Sequence, residues 1–120
     1  MSKLSLVVLS LGVAAGCKSG ADPQVRSAIT AKLASAQEPI QACYQKSLTT
    51  NRKLRGMYVV QAAVDSNGQF GEIVLRRDEP QDPVLRFCVT QQLAKLRLDK
   101  PPGKRVELES IPIKFEPANP

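Results

Sequence analysis

Residues 56–75 read GMYVVQAAVDSNGQFGEIVL, and the fold is decided by them. Gly56 opens a run in which Tyr58, Val60, Ala62 and Val64 recur at every second position, the period of a strand with one buried face. Those four side chains are expected to meet a helix. Asp65-Ser66-Asn67-Gly68 follows, with Asn and Gly supplying the positive φ of a tight hairpin with a bulge. The strand therefore returns antiparallel. On the return arm Phe70 is out of phase with Ile73 and Leu75, which predicts a bulge or twist near Gly71.

Upstream of this hairpin, Asp22 can cap a helix and Pro23 occupies its first turn, where a missing N–H costs nothing. Val25, Ile29, Leu33, Ala36, Ile40, Cys43, Tyr44 and Leu48 then recur in steps that fit one helical stripe. Pro39 interrupts that stripe, so the helical stretch over 23–48 should kink or break near Gln37 and start again at Pro39. Downstream, Asp78 to Asp82 forms an acidic loop, and Asp82-Pro83 repeats the capping pattern. The helix it opens is expected to place Val84, Leu85, Cys88, Val89, Leu93 and Leu96 on one face. Lys100-Pro101-Pro102-Gly103 ends it. The last strand carries Val106 and Leu108 in one phase and Ile111, Ile113 and Phe115 in the other, implying an irregularity near Ser110. Pro112 has no N–H to give a ladder, which assigns this strand to a sheet edge.

Helix, strand, strand, helix, strand cannot build a doubly wound parallel sheet. The predicted class is α+β: a two-layer α-β-β-α-β sandwich, with a three-stranded antiparallel sheet and two helices on one face. Two independent cores are excluded by a length of 120 residues, and with two Tyr, three Phe and no Trp the one core must be mainly aliphatic.

The N-terminus reads MSKLSLVVLSLGVAAGC, with Lys3 ahead of an apolar run from Leu4 to Ala15 that is too short for a permanent membrane span. Ala14, Ala15 and Gly16 are small enough for a signal-peptidase cleft, and Cys17 supplies a thiol for acylation. The expectation is a lipoprotein signal peptide over 1–16, lipidation at Cys17, a short tether over 17–21 and a single domain over 22–120. Ala14 stands where such signals usually carry Leu. Export leaves Cys43 and Cys88 as one possible pair in an oxidising compartment. A bridge would close a loop worth about 4 kcal/mol in the chain-entropy model. The alternative is two buried thiols at helical core positions.

The net charge of +6 falls to about +5 once Lys3 leaves with the signal peptide, and an exported chain has the wrong address for nucleic acid. The cations are scattered: Arg52, Lys53 and Arg55; Arg76 and Arg77; Lys100, Lys104 and Arg105. A solvated surface is the plain reading. Attraction to anionic headgroups or cell-wall polymers is the alternative.

The element order, together with Cys43, Tyr44 and Leu48, the strand from Gly56 to Asp65 with Gly68, Val84 and Cys88, and the ending Pro112-Ile113-Lys114-Phe115, resembles the C-terminal domain of TonB-type energy transducers. It is more similar still to the AgmX/PglI C-terminal domain family. The resemblance covers Ile40 to Phe115. It departs at Leu96 and Leu98, where that family often has Trp and Phe before a Pro, which implies a looser helix-to-strand corner here. What the resemblance implies is a protein-binding module on the periplasmic side of the envelope, without a cofactor. In TonB the exposed third strand recruits an extended receptor peptide. Carried over, the candidate binding edge is Val106, Leu108, Ser110, Ile111, Pro112, Ile113 and Phe115, with backbone groups supplying affinity. The competing reading is a strand guarded against pairing by Pro112, Glu107, Glu109 and Lys114.

Catalysis finds little material. The chain has no histidine, which removes Ser-His-Asp, Cys-His and His-metal sites. Asp65-Ser66-Asn67-Gly68 is similar to the start of a calcium loop, but Arg76 stands where the bidentate carboxylate belongs. Asp78, Glu79 and Asp82 read as a capped loop between Pro80 and Pro83 rather than an acid–base pair. The expected function is therefore non-enzymatic: an envelope adaptor for a protein partner, anchored in the membrane by lipid, with no nucleic acid and no small-molecule substrate. The alternative is a structural lipoprotein holding anionic material through its cations. Five chain steps from Cys17 to Asp22 reach at most about 18 Å, which keeps the domain near its membrane and argues against a periplasm-crossing transducer. Lys18, in place of a retaining Asp, favours the outer membrane, facing the periplasm.

Overall fold

The computed structural model describes residues 22–117 and the backbone of Val7–Val8. The expected lipidation site Cys17, the expected tether over 17–21 and the expected signal peptide, apart from the backbone of Val7–Val8, lie outside the described residues. The elements are β1 (Val7–Val8), α1 (Pro23–Ser35), α2 (Gln37–Leu48), β2 (Gly56–Val64), β3 (Phe70–Asp78), α3 (Pro83–Ala94) and β4 (Val106–Phe115). The three long strands form an antiparallel sheet with β2 between β4 and β3, and β1 adds two residues to the outer side of β4. The α+β class and the edge position of Pro112 within the long strands are as the sequence implies.

The helical stretch over 23–48 divides near Gln37 as the sequence implies, so α1 and α2 together fill the place of the first helix in the α-β-β-α-β order. Ala36 separates α1 from α2, its N–H bonding Leu33 O while its own carbonyl receives Ile40 N, both at 3.0 Å. Pro39 sits at the third position of α2 rather than starting it, in the first turn where no intrahelical N–H is needed. Asp22 and Asp82 cap α1 and α3, accepting from Gln24 N and Val84 N, each cap worth about 1 kcal/mol.

The hairpin closes through Asp65, whose Oδ1 accepts from Asn67 N at 2.9 Å and Gln69 N at 3.0 Å. Gly68 takes the positive φ, 94°. Asn67 does not share it: Gly68 N donates to Asp65 O at 2.9 Å, which makes a four-residue turn whose last residue is the left-handed glycine. The bulge expected near Gly71 falls at Glu72, φ 50°, between the pairs Ala63↔Gly71 and Gln61↔Val74. A second extra residue, Arg76, lies between Val60↔Leu75 and Val59↔Arg77. β4 has the irregularity expected near Ser110, because Val60↔Ile111 and Ala62↔Leu108 leave three steps on β4 against two on β2.

One core lies between the helices and a single face of the sheet. Ile29, Leu33, Ile40, Tyr44, Leu85, Val89 and Leu93 join Tyr58, Val60, Ala62, Val64 and the inward residues of β4 in one buried cluster. Phe115 is its aromatic centre, 4.9 Å from the ring of Tyr44 and 5.3 Å from that of Tyr58.

The looser corner after α3 is not what forms. Leu98 is buried, its N–H donates to Gly68 O at 2.8 Å, and Phe70 N donates to Leu96 O at 3.1 Å. Gln69 Nε2 also donates to Ala94 O at 2.8 Å and to Leu96 O at 3.1 Å. Hydrogen bonds from the hairpin do the work that larger aromatic residues would do by packing. A side-chain carbon on Gly68 would come within 3.1 Å of Leu98 Cβ, so glycine is required there both for its φ and for this contact.

Candidate functional site

Cys43 of α2 and Cys88 of α3 form a disulfide with Cα atoms 5.8 Å apart, which excludes the buried-thiol alternative. Cys43 is fully packed and Cys88 is half-buried at the α2–α3 seam. The bond ties together two helices that cover the same sheet, so its role is to hold the layer in which Tyr44 and Leu85 pack on β2 and β4. Tyr44 is fixed further by its hydroxyl, which donates to the Leu54 carbonyl.

The residues assigned to the binding edge divide by face. Val106, Leu108, Ile111, Ile113 and Phe115 are buried in the core. Ser110 and Pro112 are half-buried, and the exposed side chains of β4 are Glu107, Glu109 and Lys114. The five apolar side chains are thus unavailable to a partner, and what β4 offers outward is backbone flanked by charged side chains. Glu107 is partly engaged, accepting from Arg105 Nε at 3.3 Å, and Lys114 pairs with Glu116 at 3.0 Å. At its C-terminal end the outer side of β4 accepts β1, antiparallel, with Val7 opposite Phe115 and Val8 opposite Lys114. The opposite edge of the sheet is β3, whose two bulges break the regular row of donors and acceptors.

The acidic loop between β3 and α3 is fully committed to structure. Asp78 accepts from Gln81 N at 2.8 Å and pairs with Arg86 at 3.3 Å, while Asp82 caps α3. Glu79 Oε1 accepts from Met57 N at 2.9 Å and Oε2 lies 2.6 Å from Arg77. The backbone hydrogen bond from Met57, helped by Arg77, holds the Glu79 carboxyl below the usual carboxylate value. Glu72 is lowered too, by the paired hydrogen bonds of the Arg105 guanidinium at 2.7 and 2.8 Å. Among the described residues no group of His, Cys, Asp and Glu is placed to hold a metal ion.

The cations do not make one face. Arg55 precedes Gly56, which pairs with Phe115 at one end of the sheet, whereas Lys104 and Arg105 precede Val106, which pairs with Val64 at the other. Arg77 and Arg105 are already paired with Glu79 and Glu72.

Three features escaped the sequence reading. Val84, expected on the buried face of α3, is 63% exposed, and Phe87 is 66% exposed. Phe87 stands at the rim of a groove between α3 and β3, together with Ile73, Leu75, Arg86 and Thr90. The hydroxyls of Ser47 and Tyr58 are buried and find no hydrogen-bond partner among the described residues. Burial pushes the Tyr58 phenol above its ordinary value, with the Asp78 carboxylate adding to the effect. The exposure of Phe87 is legible in the helical spacing, since it falls outside the Leu85, Val89, Leu93 stripe. The unpartnered hydroxyls have no sequence signal. Comparisons with protein-family models, characterised proteins and solved structures gave no match to this chain.

Proposed function

We propose that this chain is an exported lipoprotein of the cell envelope, acylated at Cys17, whose domain binds a protein partner by adding an extended segment to the outer edge of β4. The observation that carries this reading is the inequality of the two sheet edges. β3 is interrupted twice, at Glu72 and Arg76, whereas β4 takes an antiparallel strand at Lys114 and Phe115. Because the apolar side chains of β4 are buried in the domain's own core, affinity would come from main-chain hydrogen bonds, and Glu107, Glu109 and Lys114 would set register and select the partner's charge. The resemblance to the AgmX/PglI family supports the same reading. So does the commitment of every carboxylate in the acidic loop to capping or ion pairing, which leaves no free acid–base pair in that loop.

In this reading the domain is a non-catalytic adaptor within an envelope assembly, facing the periplasm from the outer membrane. Binding of anionic polymers is less well supported, because the basic clusters lie at opposite ends of the sheet. Photo-crosslinking residues placed singly at Glu107, Glu109 and Lys114, with Val74 on β3 as the control, test the assignment in intact envelopes. A discrete protein adduct from the β4 positions and not from Val74 is expected. Equal labelling from Val74, or adducts only with polysaccharide or lipid, would remove the strand-addition reading.

A further inference from the structure

The strand that occupies β4 comes from the segment the sequence marks for removal. Val7 and Val8 lie within the apolar run from Leu4 to Ala15, ahead of Cys17, and pair antiparallel with Phe115 and Lys114. On their inner side Phe115 and Lys114 pair with Gly56 and Met57 of β2, so this end of β4 has partners on both sides while residues 1–16 remain attached. Pro112 has no N–H to offer a partner strand, and the register shift near Ser110 disturbs the ladder just beyond it. The regular part of the edge is therefore short, and the leader strand falls on it.

We propose that Val7–Val8 is an intramolecular occupant of the β4 edge, keeping it closed in the precursor, and that cleavage before Cys17 opens it. The idea rests on the reading of β4 as the partner edge only for its biological consequence; the occupancy itself does not need a partner. Two residues of ladder are a weak contact in trans. Residues 9–21 connect this strand to the α1 cap, however, and a short connection gives an effective concentration on the order of millimolar. A competing strand must work against that, so an edge closed about 90% of the time lowers a partner's apparent affinity about tenfold. The device would separate export from assembly: a chain still carrying its leader does not engage partners.

The test compares amide hydrogen exchange at Lys114, Phe115 and Glu116 in the full chain and in the chain from residue 17, both carrying Cys17→Ser and held in the same detergent. The shorter chain keeps Ile29 to Phe115, the whole buried core among the described residues. Exchange at those of these amides that point away from β2 should be about tenfold slower in the full chain, and Val7→Pro with Val8→Pro should return it to the rate of the shorter chain. Amides of β3 serve as the control and should not differ. Equal exchange in the two chains overturns the proposal, as does protection that survives the double proline variant. If the leader protects β4 but the crosslinking positions on β4 capture nothing, the partner reading fails and this one stands.

Discussion

Removing the Cys43–Cys88 bond with Cys43→Ala and Cys88→Ala should weaken the domain more than any surface change. The half-cystines are 45 residues apart, and a closed loop of that size restricts the unfolded chain by about 4 kcal/mol at 25 °C in the chain-entropy model. A domain of this size has total stability of about 5–14 kcal/mol, so the bond is a large fraction of it. The native state should change little, because Tyr44, Leu85 and Val89 still pack across the α2–α3 seam. The midpoint temperature should fall by roughly 15–30 °C. Urea unfolding followed by circular dichroism should also give a steeper slope, since the unfolded chain without the crosslink exposes more surface. A loss below about 1 kcal/mol, with an unchanged slope, would refute the claim that the bond acts by restricting the unfolded state.

Tyr58→Phe removes a buried hydroxyl that has no partner while keeping the ring against Phe115, and should raise stability by about 1 kcal/mol in urea denaturation; a loss would mean the hydroxyl is bonded in solution. Gly68→Ala should cost about 1–3 kcal/mol through its φ and its contact with Leu98, whereas Gly71→Ala, with open space around it, should stay within about 0.5 kcal/mol by thermal unfolding. Both tyrosine phenols are raised by burial, so the stability they confer is complete below pH 10 and is lost as pH rises above it; phenolate absorbance should appear only together with loss of helical circular dichroism. The lowered carboxyls of Glu72 and Glu79 act in the other direction. Their contribution is present above about pH 4.5 and is lost as pH falls through their folded values, and Glu79→Gln should flatten the urea midpoint's dependence on pH between about 6 and 3.

The parts of this fold that depend on near neighbours in sequence were legible from it. The two-residue period from Tyr58 to Val64, the Asp65–Gly68 turn and the Asp-Pro caps each specify local geometry, and each forms. The break between α1 and α2 was legible from Pro39, but its position at Ala36 is set by where the first turn can accommodate a proline. Val84 is apolar yet does not point inward: five residues from Val89 is a rotation of about 140°, which turns Val84 out of the core. The corner after α3 needed knowledge of which backbone groups of the hairpin face it, and no spacing in Leu96 to Asp99 reports that Gly68 and Gln69 will hold it. The same limit applies to the binding edge. Its residues were identifiable as a strand with a proline, but the division into buried side chains and an outward backbone emerges only once β2 is placed between β4 and β3.

Strand addition is tested most directly by amide exchange across both sheet edges of the protein, processed and acylated as proposed, measured in native envelopes and again after purification. Strand addition predicts slower exchange in envelopes at the outward amides of β4 around Lys114 and Phe115, with β3 unchanged. Protection confined to β3 and the α3 groove around Phe87, or identical exchange in both preparations, would contradict it.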